Sequence, residues 1–164
     1  MYFEILLPGN GNGIKEMSQM ATAILRDYYD PIIGKEQNNY MLKLFQSVEG
    51  ISDQLDHGYR YYFIRDDEEQ NLGFVAFYPR EDALYLSKLY LYKDQRGKGF
   101  ARGIIDFLET QAKELDLKKI ELNVNRNNPT KFIYEKLGFH VAREEKNDIG
   151  NGFFMDDYVY ALDL

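Results

Sequence analysis

The sequence has no cysteine and only two histidines, His57 and His140. Without thiols the chain can form no disulfide, no thiolate metal site and no cysteine nucleophile, and two histidines do not supply a histidine-based metal cluster. Tryptophan is absent too, so the core and any cleft must be lined by the 14 tyrosines and 11 phenylalanines. We therefore expect a protein that binds no metal.

Long apolar runs and an excess of positive charge are also missing. No stretch of about 18 apolar residues occurs, and Met1–Ile5 do not begin a basic segment followed by an apolar one. These absences predict a cytoplasmic protein with no membrane partner. The net charge of -7 and the pI of about 4.9 argue against binding to nucleic acid, because phosphate contacts need a basic surface. An acidic surface suits a cationic substrate such as an amine, and it equally serves solubility alone.

The chain has 164 residues, 45% hydrophobic and 29% charged, which predicts one compact domain over residues 1–164. Apolar positions from Ile14 to Tyr29 recur at the spacing of an amphipathic helix, which we expect to end at Asp30–Pro31. Residues 37–55 show a second helical pattern with a break. These two regions account for the first two predicted helices.

Strand patterns dominate the rest of the chain. Residues 60–65, 72–78 and 84–92 predict three antiparallel strands, and an edge strand precedes them at Tyr2–Leu7. A helical stripe then leads to a strand around Ile120, and the remaining predicted elements are a short helix at 129–137 and two strands near 139–145 and 153–162. The fold class is therefore α/β (α+β), with a mixed central sheet of about seven strands flanked by about four helices.

The most informative segment is Arg96-Gly97-Lys98-Gly99-Phe100-Ala101, where a strand runs into glycines and then into a helix. Glycine lets the backbone approach a ligand, and the first N–H groups of a helix lack an internal acceptor, so they attract an anion. Arg96 and Lys98 add positive charge beside it. The segment predicts a pyrophosphate-binding loop; the alternative is a tight turn with no ligand. It matches neither a Walker loop nor the dinucleotide fingerprint.

With a second motif, Asn127-Asn128-Pro129-Thr130-Lys131-Phe132-Ile133-Tyr134-Glu135-Lys136-Leu137-Gly138-Phe139, the chain resembles the GNAT superfamily of acyl-CoA N-acyltransferases. The loop at 96–101 meets the signature Gln/Arg-x-x-Gly-x-Gly/Ala of that family. The resemblance implies an acetyl-CoA-dependent N-acetyltransferase with a GNAT-like domain. It also implies a splay between the two central parallel strands.

The resemblance further assigns residues to the cofactor. The pantetheine arm would pair with the strand backbone at Leu89 and Leu91, and the N–H of Leu91 would stabilise negative charge on the thioester oxygen. Asn127 or Asn128 would hydrogen-bond the arm, although either could instead cap the following helix, a role that suits Asn128. The pyrophosphate would be bound by Arg96, Gly97, Lys98, Gly99, Phe100 and Ala101.

Catalytic roles are implied in the same way. Tyr134 would donate a proton to the departing thiolate, or else be a packed aromatic. Many members of the family have a glutamate that acts as the general base in or near the strand that corresponds to residues 120–125. Here Asn123 aligns with that glutamate, and Glu121 lies two residues earlier on the same face. The base is therefore open. Asp156 and Asp157 would attract a cationic substrate or lie on the outer face.

The predicted reaction is direct attack of a primary amine, a small amine or polyamine, on the thioester. Two alternatives stay open: an acetyltransferase that acts on a protein or peptide amine, and a CoA-binding module of the same fold that has lost its base. A homodimer is one of the assemblies left open.

Overall fold

The computed structural model describes residues 1–164 as seven strands, five α-helices and one short 3-10 turn at Lys93–Gln95. The strands are β1 (Tyr2–Leu6), β2 (Arg60–Arg65), β3 (Asn71–Arg80), β4 (Ala83–Leu91), β5 (Lys119–Asn125), β6 (His140–Gly150) and β7 (Phe153–Asp163). The helices are α1 (Gly11–Ile33), α2 (Lys35–Phe45), α3 (Val48–Asp56), α4 (Phe100–Glu114) and α5 (Lys131–Lys136).

The strands form a mixed sheet in the order β1-β2-β3-β4-β5-β7-β6. Strand β4 runs parallel to β5, with Ala83–Leu86 beside Lys119–Leu122, whereas β5 and β7 are antiparallel. The predicted fold class and the seven-stranded mixed sheet are confirmed. The helices number five because the predicted region 37–55 is two helices.

Two side-chain caps explain where the early helices begin. Asn10 accepts a hydrogen bond from the Gly13 N–H at 3.0 Å at the start of α1, and Ser47 does the same for Gly50 at 3.0 Å at the start of α3. Such caps satisfy N–H groups that have no partner within the helix. The cap at Ser47 therefore divides the predicted second helical region.

The expectation that the first helix ends at Asp30–Pro31 was wrong. Helix α1 continues through Pro31 and ends before Gly34, whose N–H donates to the Asp30 carbonyl at 3.1 Å. Proline removes one backbone donor, which costs little in the last turn of a helix that is otherwise held by packing.

The chain divides into two compact units, Met1–Tyr78 with Lys88–Lys98 and Pro79–Ser87 with Gly99–Leu164. In the first unit, the apolar stripe of α1 is buried with residues of α3, β2 and β3. In the second unit, α4 buries one apolar stripe, and the alternating residues Ile120, Leu122 and Val124 of β5 are buried as the sequence predicts. None of the helices combines the length and apolar character needed to cross a membrane.

The first unit also buries a lysine. Lys88 on β4 is 7% exposed, and its Nζ donates to Gln54 Oε1 at 2.6 Å and to the Tyr61 hydroxyl. The Nζ of Lys88 also lies 5.6 Å from the centroid of the Tyr59 ring. Burial lowers the pKa of Lys88 to about 7, because an ammonium loses hydration in this environment.

Replacing Lys88 tests how much its burial lowers the free energy of unfolding. Between the lowered pKa of about 7 and the ordinary 10.5, the unfolded chain holds the extra proton, so this group makes wild-type stability rise with pH across that range. We expect Lys88→Met to raise the free energy of unfolding by roughly 2–5 kcal/mol near neutral pH, with a gain that shrinks as pH rises. The Tyr61 hydroxyl also donates to Gln54 Oε1, a hydrogen bond that does not need Lys88, so the variant should leave neither group without a partner.

Denaturant unfolding at about pH 6.5 and about pH 9.5 measures both effects. Lys43→Met, at an exposed position of α2, is the matched control and is expected to leave the pH dependence unchanged. A gain for Lys88→Met of equal size at both pH values would show that the charge is not the cause.

Candidate active site

The backbone of the loop before α4 is open enough for a ligand to approach it closely. Gly97 and Gly99 have φ angles of 76° and 83°, and a Cβ added to either would meet no atom within 4 Å. Gly99 is the N-cap residue of α4, and no side chain caps this end of the helix. The first N–H groups of α4 are therefore available to an anion, which fits the pyrophosphate predicted for this loop.

Arg96 is held at the end of β4 by two contacts. Its Nε donates to the Leu91 carbonyl at 3.1 Å, and its guanidinium lies over the Tyr28 ring, 4.5 Å from the centroid. One Nη of Arg96 is buried without a hydrogen-bond partner. A positioned guanidinium with a spare donor is suited to a phosphate oxygen. Lys98 is exposed, and its Nζ lies 3.3 Å from Gln95 Oε1.

Tyrosines surround the last residues of β4 in the first unit. Tyr90 packs edge-on against Tyr28 and Tyr29, and the hydroxyls of Tyr29 and Tyr90 are 2.9 Å apart. Leu89 and Leu91, the predicted pantetheine partners, are partly buried. Lys88 and these tyrosines were not predicted from the sequence as site residues. The available signal was a lysine and a tyrosine at alternate positions of an otherwise apolar strand.

Gly73 lets β3 approach the end of β4 closely. A Cβ at Gly73 would lie 2.1 Å from the Tyr90 carbonyl oxygen and 2.8 Å from the Leu91 Cα. No side chain fits at that distance, so the glycine helps to fix the backbone whose carbonyl binds Arg96.

The two predicted asparagines lie in different environments. Asn127 is exposed, and its N–H donates to the Asn125 side chain at 2.9 Å. Asn128 is 4% exposed, and its Oδ1 accepts from the Thr130 N–H at 2.9 Å just before α5. Asn128 therefore forms a local turn before the helix and is not its N-cap, which is Thr130, and contact of either asparagine with the pantetheine arm stays a prediction.

Tyr134 is packed where α5 meets the following strand. Its side chain is 8% exposed, and its ring lies edge-on to Phe139 with the centroids 5.5 Å apart. The Phe139 N–H donates to the Tyr134 carbonyl at 3.0 Å. Packing and backbone together fix the position of this ring.

A polar cluster, defined as Tyr85, Asn123, Glu145 and Asp157, occupies one face of the second unit. The Tyr85 hydroxyl donates to Asn123 Oδ1 at 2.7 Å, and Asn123 Nδ2 donates to Asp157 at 3.1 Å and to Glu145 at 3.4 Å. Asn123 thus links a phenol to two carboxylates. Asn123 and Asp157 were both candidates from the sequence, but nothing in the sequence connects them.

Glu121 lies beside this cluster and is surrounded by cations. It is 5% exposed, and its carboxylate is 3.3 Å from Arg143 and 3.6 Å from both Arg80 and Lys119. Burial alone would raise the pKa of Glu121, but the Arg143 hydrogen bond and the three positive charges lower it. A carboxylate held anionic by three cations is a poor proton acceptor.

Asp156 and Asp157, adjacent in sequence, have opposite environments because β7 alternates its side chains between the two faces of the sheet. Asp156 is partly exposed and pairs with Arg126 at 3.2 Å. Asp157 is 2% exposed, and burial raises its pKa although the Asn123 hydrogen bond opposes this rise. The outer-face alternative therefore fits Asp156 and not Asp157.

The sequence model of the protein family described as acetyltransferase (GNAT) domain matches residues 29–156 of this chain. The chain therefore belongs to the GNAT acetyltransferase family. No group of three or more His, Cys, Asp or Glu residues is arranged to hold a metal ion.

Two curated proteins show partial sequence similarity. The uncharacterized N-acetyltransferase YdgE of Bacillus subtilis is 29% identical over 85 residues, which are 48% of this chain and 54% of that protein. The ribosomal protein bS18-alanine N-acetyltransferase of Haemophilus influenzae is 28% identical over 81 residues, 49% of this chain and 56% of that protein. The chain spans about half the length of these relatives.

Solved structures share the fold over nearly the whole chain. The PaiA N-acetyltransferase of Thermoplasma acidophilum, in complex with coenzyme A, has a TM-score of 0.77 at 18% identity and covers 100% of both chains. The spermidine N-acetyltransferase of Vibrio cholerae, in complex with CoA and spermine, has a TM-score of 0.64 at 20% identity. The alignment covers 98% of this chain and 94% of the Vibrio cholerae chain. At these identities the likeness establishes the fold alone.

Proposed function

We propose that this protein is an acetyl-CoA-dependent N-acetyltransferase that acetylates a primary amine. The observation that carries the proposal is the uncapped, glycine-led start of α4, which follows the positioned Arg96 directly in the sequence, in a chain of the GNAT family. Acetyl-CoA supplies the acetyl group as a thioester, which an uncharged amine can attack. The residues of the chain must therefore bind the coenzyme, deprotonate the amine and supply a proton to the leaving thiolate.

In this proposal the loop 96–101 binds the pyrophosphate through its N–H groups and the Arg96 guanidinium. Leu89 and Leu91 offer backbone groups to the pantetheine arm, and Asn127 or Asn128 hydrogen-bonds it further along. Tyr134 donates a proton to the leaving thiolate from a ring that packing on Phe139 holds in place.

The favoured acceptor is a small cationic amine or polyamine. The net charge of -7 supports this choice, and so does the fold likeness to a spermidine N-acetyltransferase. A protein or peptide amine is the second candidate, supported by partial similarity to a ribosomal protein alanine N-acetyltransferase.

A panel of amines tests the function directly. With acetyl-CoA, we expect free thiol to be released with spermidine or another small amine, and more slowly with a peptide that begins with alanine. Ellman's reagent measures the thiol, and mass spectrometry identifies the acetylated product. CoA binding without acetylation of any amine would favour the non-catalytic module.

The pyrophosphate contact is tested at the start of α4. Gly99→Val places a branched side chain at a positive φ angle, in the space where phosphate oxygens must approach, and we expect CoA affinity to fall at least about tenfold. Isothermal titration calorimetry gives the Kd. Gly152→Val is the matched control: Gly152 also has positive φ and open space, in the turn between β6 and β7, so it introduces similar strain. Normal CoA affinity in Gly99→Val would argue against the contact.

The proton-donor role is tested by Tyr134→Phe, which keeps the ring and its packing on Phe139. We expect kcat to fall about 10²-fold or more, the usual range for loss of a general acid, with the Kd for CoA little changed. Tyr2→Phe, at an exposed position of β1, is the control and should retain full turnover. Undiminished kcat in Tyr134→Phe would remove Tyr134 from the mechanism.

A further inference from the structure

The second unit contains one buried carboxylate whose hydrogen bond comes from an amide instead of a cation. Ion pairs join the neighbouring acidic residues to arginine or lysine; these residues are Glu121, Glu144, Glu145 and Asp156. Asp157, at 2% exposure, instead accepts a hydrogen bond from Asn123 Nδ2 at 3.1 Å. A buried carboxylate without a paired cation is costly, so its presence points to a cationic ligand.

The Asn123 amide is itself oriented. The Tyr85 hydroxyl donates to its Oδ1 at 2.7 Å, which turns the NH₂ group toward Asp157 and Glu145. Tyr85 is in turn covered by the Arg80 guanidinium, 3.9 Å from the ring centroid. The chain from Tyr85 through Asn123 therefore fixes one oxygen of Asp157.

The position of Asp157 in the sheet is that of a ligand-binding residue. In the register of β5 and β7, Asp157 lies opposite Asn125, the last residue of β5. The parallel pairing with β4 covers only the first four residues of β5, Lys119–Leu122. In open α/β sheets, ligands bind outside the carboxyl ends of parallel strands, and Asp157 lies at that end of β5.

We propose that Asp157 is a catalytic residue of this acetyltransferase, whose carboxylate binds the ammonium group of the acceptor and removes one proton from it, while Asn123 and Tyr85 are positioning residues. This inference rests on the proposed function and names the base that the sequence left open. In the step, an N–H bond of R–NH₃⁺ breaks and an O–H bond forms on Asp157. The products are a neutral amine with a free lone pair and a carboxylic acid, which later returns its proton to solvent.

Glu121 is less suited to this role, although it is buried on the same face. Three cations already surround its carboxylate, so an incoming ammonium would have to compete with Arg80, Lys119 and Arg143. Asp157 has no such competitor among its hydrogen-bond partners.

The charges around Asp157 predict the pH dependence. Burial raises its pKa; the Asn123 hydrogen bond lowers it, Asp156 and Glu145 raise it, and Arg126 lowers it. The net rise brings the group closer to neutral pH, where a general base is most effective. Activity should fall as pH drops through this pKa, because the protonated carboxyl cannot accept a proton.

The test combines kinetics with a titration that needs no turnover. The pH profile of kcat/KM is measured by thiol release with acetyl-CoA and spermidine, an alanyl peptide or any other amine of the panel that is acetylated. In parallel, ¹³C NMR of the aspartate carboxyl carbons, assigned through triple-resonance correlations to the backbone of each residue, gives the pKa of Asp157. Asp163→Asn, at an exposed residue of the same strand, is the matched control.

We expect Asp157→Asn to lower kcat/KM at least about 10²-fold, with the Kd for CoA unchanged. Asn123→Ala removes a hydrogen bond to the charged form, so the NMR pKa of Asp157 and the acid limb of the pH profile should both move to higher pH. Asp163→Asn should change none of these values. Tyr85→Phe should shift the same two pKa values upward by less, because the Asn123 amide remains.

Three results would overturn the inference. Wild-type turnover in Asp157→Asn excludes this base while leaving the proposed function intact. An unmoved Asp157 titration in a folded Asn123→Ala variant excludes the positioning role, and this readout still decides if Asp157→Asn fails to fold. A wild-type protein that binds CoA and acetylates no amine refutes the proposed function, and the inference falls with it.

Discussion

Parallel pairing of β4 with β5 requires a crossover connection, and α4 is that crossover. The helix follows β4 in the chain, and its N-terminus carries free N–H groups and the positive end of the helix dipole. The glycines at 97 and 99 let the chain make this turn with positive φ angles. The candidate coenzyme loop is thus a direct consequence of the sheet topology.

The two faces of β5 divide structural and chemical tasks. Ile120, Leu122 and Val124 are buried apolar residues, and α4 packs against this strand. The alternate positions 121 and 123 carry a carboxylate and an amide, both in polar networks. A single strand therefore contributes to the core with one face and to polar networks with the other, because successive side chains point to opposite faces.

Two acidic residues of the second unit are similarly buried but differ in whether cations surround them, and this difference sets the direction of their pKa shifts. Glu121 and Asp157 are 5% and 2% exposed, yet the pKa of the first is lowered by surrounding cations and that of the second is raised by burial. The first carboxylate is stabilised in its charged form, whereas the second can change its protonation state at less cost. The same reasoning applies in the first unit to Lys88, whose lowered pKa reflects burial among neutral partners.

The sequence by itself determined the order of elements, the α/β class and the loop at 96–101. Hydrophobic periodicity and glycine placement are local properties, which is why the apolar stripes of α1 and α4 and the alternation of β5 are confirmed. The ends of the helices were harder to predict. The cap at Ser47 and the continuation of α1 through Pro31 both depend on how the helices pack in the folded protein.

Only the tertiary structure decided which polar groups meet. Tyr85, Asn123 and Asp157 are separated by more than thirty residues, and their hydrogen bonds follow from strand register across three strands. The three cations around Glu121 come from β3, β5 and β6 in the same way. Periodicity gives the face on which a side chain lies, but the charge it encounters depends on long-range pairing, and that pairing sets its pKa and its chemistry.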